Sequence, residues 1–205
     1  MSSIFSSRRI ICLALGLGAM GLPLITSNAA AQQKFEIKNV AEKKLKQLPA
    51  GPLYWRVENL PTLAQAEAAA GETSLAAEVS GKVWLFTLGP KGGSTPGANR
   101  VTEIGPVPTI SAAEYLLRIN HAGGPPGAKT PVHTHPGSEA FYVLAGRLGQ
   151  RTPHGVSHAD AGQAMNGHGA DMPMEVFSAG TSDLDQLVMF VVDAGRPFSS
   201  PAKLE

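Results

Sequence analysis

Two histidines one residue apart, His133 and His135, precede a glutamate, Glu139, in the stretch Gly127-Ala-Lys-Thr-Pro-Val-His133-Thr-His135-Pro-Gly-Ser-Glu139-Ala-Phe-Tyr-Val-Leu-Ala-Gly146. In extended chain, side chains at i and i+2 leave from the same face. Both imidazoles therefore aim at one point, with Thr134 turned away. Pro136-Gly137 offers a bend that swings Glu139 back toward them. Two neutral imidazoles and a carboxylate suit a first-row divalent transition metal, with coordination positions left for water or substrate. By the same parity Phe141 shares the face of Glu139 and walls a pocket, whereas Tyr142 points the other way.

Other chemistries find little support. The only cysteine is Cys12, inside an apolar amino-terminal run, so residues 32–205 hold no thiolate nucleophile, disulfide or zinc–cysteine site. There is no G-x-S-x-G elbow and no glycine-rich phosphate loop in a strand-to-helix setting. With 17 Lys plus Arg against 16 Asp plus Glu and no basic cluster, nothing attracts a nucleic acid.

The elements that must position these groups are short strands. The chain has 205 residues, 16% of them charged, with 23 Gly and 16 Pro in no collagen-like period, which reads as strands separated by turns. Strands are predicted at residues 54–57, 82–88, 114–120, 140–144 and 186–193. An Ala-rich segment, 63–70, reads as a short bracing helix capped by Asn59, with Pro61 in its first turn and Gly71 at its end. Residues 32–48, carrying Lys34, Lys38, Lys43, Lys44 and Lys46, read as a solvated lead segment.

Residues 1–31 read as an address. Arg8-Arg9, the apolar run 10–25 and Ala29-Ala30-Ala31 make a secretory signal cleaved after Ala31. The run is broken by Gly16, Gly18, Gly21 and Pro23 and is shorter than the roughly 20 residues a spanning helix needs. The paired arginines partly resemble a twin-arginine signal, but its usual lysine is missing, so the general secretory route is expected. The expected location is the periplasm or beyond, with no membrane attachment after cleavage. The expected organisation is signal 1–31, extension 32–52 and one domain, 53–200.

Glycine, five residues, His-x-His, three residues, Glu, six residues, Gly is the spacing of the first cupin motif, and the chain resembles the cupin superfamily on all five positions. The resemblance implies an all-β, cupin-type jelly-roll barrel with a short N-terminal helix and extension, and with the site inside the barrel. It implies His133, His135 and Glu139 as metal ligands and a fourth ligand from a second motif. That motif is degenerate here. After Gly162 its histidine position falls near Pro173, and the local shape puts Met174 there. A thioether favours copper over Mn²⁺ or Mg²⁺.

Three readings of this set stay open. Met174 ligates a metal (Cu, Fe, Mn or Zn), or it packs beside a three-residue metal set, or the pocket holds an organic ligand without metal. Met172, His168 and water are the other candidates for the fourth position, and Phe141, Met165 and Met172 for the pocket wall. An implied activity is a dioxygenase-type oxidoreductase acting on a small organic molecule, with Glu139 as ligand and base. The alternative is a non-catalytic periplasmic protein that binds a small molecule or metal. A homodimer is expected by analogy with the superfamily.

Overall fold

In the computed structural model, which describes residues 34–108 and 110–204, the most apolar run of the chain becomes the central strand of the main sheet. The expected signal lies outside the described residues. In chain order the elements are β1 (Glu36–Leu45), β2 (Tyr54–Leu60), α1 (Leu63–Ala69), β3 (Ser74–Val79), β4 (Lys82–Gly89), β5 (Asn99–Ile104) and β6 (Tyr115–Gly124). They continue as β7 (His133–Thr134), β8 (Gly137–Ala145), β9 (Arg147–Thr152), β10 (Gly155–Asp160), β11 (Ala164–Asn166), β12 (Glu175–Ser178), β13 (Leu184–Asp193) and β14 (Ser200–Pro201).

The main sheet has the order β1-β6-β13-β8-β11, with every neighbouring pair antiparallel. Facing it is the sheet β10-β9-β12. Bridges Lys129↔Phe177 and His133↔Met174 extend that second sheet to β7, which pairs with β14. Two facing antiparallel sheets of this order form the expected jelly-roll barrel. Between them pack Phe141, Val143, Leu148, Val176, Val188 and Val192.

Period-two alternation explains why β13 is apolar from Leu187 to Val192. Val188, Phe190 and Val192 face the barrel interior, whereas Leu187, Met189 and Val191 belong to a different core. That second core forms where a four-stranded sheet, β3-β4-β2-β5, lies on the back of the main sheet. Its anchors are Trp55, Trp84 and Phe86, packed with Leu117, Met189 and Val191. Trp84 stacks on Phe86 at 6.3 Å between ring centroids and donates its indole N–H to the Val79 carbonyl at 3.0 Å. The barrel expected over residues 53–200 therefore contains an added sheet, β2 to β5, that backs it from outside.

Two local readings are corrected. The lysine-rich lead segment is strand β1, paired with β6 from Glu36↔Gly123 to Leu45↔Tyr115. An edge strand needs backbone partners on one side only, so Lys38 and Lys44 stay exposed, while Lys43 donates to the Gly71 and Ser74 carbonyls. The helix is capped by Thr62, whose hydroxyl accepts from the Gln65 amide at 3.2 Å. Asn59 instead belongs to β2, and its side-chain amide donates to the Val83 carbonyl. As expected, α1 is a brace: Ala66 packs on Leu60 and Leu85 at the outer face.

Gly146 joins β8 to β9 with φ +73°, and a Cβ there would strike the Asp183 carbonyl oxygen. Only glycine meets both conditions, which explains the final glycine of the motif.

Candidate functional site

The inner faces of β6, β8 and β13 open onto a cavity of about 680 Å³. Its walls are largely apolar, with Phe141, Val176, Val188, Phe190 and Phe198 among them. His133, His135, Glu139, Asn120 and Gln186 bring polar groups to the same space. Register sets the layers. Phe190 lies between Arg118 and Glu139, and Val188 lies between Asn120 and Phe141. Ile37 of β1, 58% exposed, contributes to the lining.

Both histidines have a fixed tautomer. The Nδ1–H of His133 donates to the Pro131 carbonyl at 2.8 Å, and that of His135 to the Phe198 carbonyl at 2.6 Å. A carbonyl can only accept, so Nδ1 carries a proton in both rings, and in a neutral ring the lone pair is then on Nε2. The rings stand edge to face with centroids 4.9 Å apart. His135 is buried against Phe190 and Phe198. Burial holds its pKa down at about 4; the Phe198 hydrogen bond opposes this, while the charges of His133 and Arg118 add to it. The ring is neutral at physiological pH.

Glu139 is buried and accepts from the Gln150 side-chain amide at 2.6 Å. Burial pushes its pKa up to about 8, against the Gln150 hydrogen bond, which favours the charged form. The backbone behind it is held by Gly167, whose N–H donates to the Glu139 carbonyl at 3.0 Å. A Cβ on Gly167 would lie 2.6 Å from the Glu139 Cγ, so a glycine is needed for this approach.

The donor chemistry decides whether a metal fits. Among the described residues no three His, Cys, Asp or Glu side chains are placed to share one ion. Glu139 is turned to Gln150, from whose side-chain amide it accepts at 2.6 Å. The implied set His133, His135, Glu139 and Met174 therefore does not form a metal centre as placed. Met174 pairs with His133 through two backbone hydrogen bonds, but its sulfur lies 3.5 Å from the Gln150 amide and it does not line the cavity.

The remaining candidates lie elsewhere. Met165 sits opposite Phe141 on β11, at the far edge of the sheet, and packs on the barrel core rather than in the cavity. Met172 is half-buried in the turn before β12, next to the Asp171–Arg196 ion pair. His168 stands near His154, 6.3 Å between ring centroids, away from the cavity. Of the pocket-wall candidates, Phe141 lines the cavity and the two methionines do not. The structure adds Gln150, Asn120 and Gln186. The last two were visible as polar residues at inward positions of otherwise apolar strands.

Two facing antiparallel sheets around a central cavity define a double-stranded β-helix barrel. This is the cupin fold. No protein-family model matches the chain, and no curated protein does. Among solved structures, similar ones include a DMSP lyase from Ruegeria pomeroyi, 21% identical, with a TM-score of 0.37 over 42% of this chain and 43% of that one. A polyketide cyclase from Streptomyces resistomycificus is 21% identical, with a TM-score of 0.36 over 43% and 62%. A cupin-like protein from Thermotoga maritima is 15% identical, with a TM-score of 0.38 over 43% and 65%. This chain covers less than two thirds of each. At such TM-scores these likenesses add nothing to the strand order, which itself defines the fold.

Proposed function

We propose that the protein is an exported, cupin-fold binding protein whose barrel receives a small organic molecule. One observation carries the reading. A cavity of about 680 Å³ lies inside the barrel, apolar on most of its wall, with a few polar groups brought to it by strand parity. Small-molecule sites have this composition and a volume in this range. Export rests on the amino-terminal sequence, with its basic residues, short apolar run and alanine-rich end.

A second reading, a metal-assisted oxidoreductase of dioxygenase type, draws on one observation: both histidines tie Nδ1–H to a backbone carbonyl, which leaves Nε2 as the ring nitrogen that could ligate. It requires Glu139 to leave Gln150 and ionise. Elemental analysis of the protein isolated without refolding separates the two. The binding reading expects well under one transition-metal ion per chain, with a chelator leaving the unfolding temperature unchanged. One tightly held ion per chain, lost in the His133→Ala and His135→Ala variants, would replace it with the metal reading.

A further inference from the structure

The cavity carries an unsatisfied polar pair that nothing in the protein accounts for. Gln186 is fully buried on β13, and neither its amide nitrogen nor its carbonyl oxygen has a hydrogen-bond partner. Asn120, 5% exposed on the adjoining β6, has an unpartnered side-chain oxygen. Both residues line the cavity, at inward positions beside Val188 and Ala122. A buried amide left unpaired costs on the order of 1–3 kcal/mol, so native proteins rarely leave one without a partner. A partner arriving with a ligand would relieve it.

The charged groups of the lining narrow the ligand's chemistry. Both cations have a carboxylate partner: Arg118 holds Glu42 through Nε at 2.9 Å and stacks on the Phe198 ring, and Lys129 shares Glu175, at 2.8 Å, with Arg151. The acid, Glu139, is engaged by Gln150. An anionic ligand would have to compete with Glu42 and Glu175 for these cations. The primary amide of Gln186 presents a donor and an acceptor side by side, which is met by a group with the reverse pair.

Building on the binding role above, we infer that the ligand is an uncharged molecule with an aromatic or alicyclic body and a carboxamide or lactam group, the latter seated on Gln186 and Asn120. The body lies against Phe141, Val188 and Phe190.

Three probes of nearly one shape test this on the full chain by titration calorimetry: naphthalene-2-carboxamide, naphthalene-2-carboxylate and 2-methylnaphthalene. The carboxamide is expected to bind at least roughly tenfold more tightly than either of the others. Gln186→Leu should remove that preference, bringing the carboxamide and 2-methylnaphthalene to within about twofold of each other. Gln186→Glu, of nearly native shape, should also remove it and serves if the leucine variant does not fold. Equal affinity for carboxamide and hydrocarbon overturns the inferred class and leaves the binding barrel standing, the unpaired amides then being matched by water. Tightest binding of the carboxylate overturns the class as well. If none of the three binds, the inference and the binding reading fall together.

Discussion

Glu139→Gln is expected to abolish a loss of stability that the wild-type protein suffers above about pH 6.5. In the folded state the acid titrates near 8 instead of its ordinary 4.5, because burial disfavours its charge. Between those values the unfolded chain has released a proton that the native chain retains, so stability falls as pH rises. His135 works in the opposite sense. Its folded value of about 4 lies below the ordinary 6.5, so the unfolded chain binds the extra proton and stability rises with pH across that interval. The two slopes offset each other from about pH 4.5 to 6.5. Above 6.5 Glu139 acts alone, and the wild type should lose roughly 2 kcal/mol by pH 8. In Glu139→Gln the amide oxygen still accepts from Gln150 and no proton is lost. Its stability should climb to about pH 6.5 and then hold level. Urea unfolding at half-unit steps from pH 5 to 8.5 reads both curves. A wild-type curve that is flat or rising from 6.5 to 8 would mean that Glu139 is ionised in the native protein, and the metal reading would regain its third ligand.

Trp84→Ala should be the most damaging single truncation in the core, at about 3–5 kcal/mol. Its indole is 1% exposed, stacked on Phe86 and tilted against Tyr142 at 6.0 Å. It sits where the β2–β5 sheet meets the back of the barrel, so the loss falls on the contact between layers. Trp84→Phe keeps much of the ring area but gives up the hydrogen bond to Val79, and should cost less than half as much. Chemical denaturation of both variants checks this. A loss below about 1 kcal/mol for the alanine variant would show that the outer sheet is not docked through this residue.

Of the barrel strands, β6, β8 and β13 were legible, β13 because burial on both faces makes residues 187–192 apolar, whereas the facing strands β9, β10 and β12 were not marked as strands. The His-x-His pair, Glu139 and Phe141 were legible because strand parity is a local property. Strand β1 was not, since an edge strand carries Lys38 and Lys44 into water and loses the apolar signature. The helix start was misplaced because Asn59 and Thr62 are both good caps, and only the extent of β2 decides between them. Gln150 was invisible for a different reason. It sits 11 residues from Glu139 in sequence, on the strand after the hairpin, and meets it only once the barrel closes. The methionine cluster misled because proximity along the chain was taken for proximity in space. The bend between β11 and β12 sends Met165, Met172 and Met174 in three directions.

The back of the main sheet is an apolar face, with Leu117, Met189 and Val191 turned away from the barrel interior. Here the rear of the barrel is already roofed by the chain's own residues 54–104, so a twin copy would find that landing ground taken. Any self-association would have to use another face of the barrel.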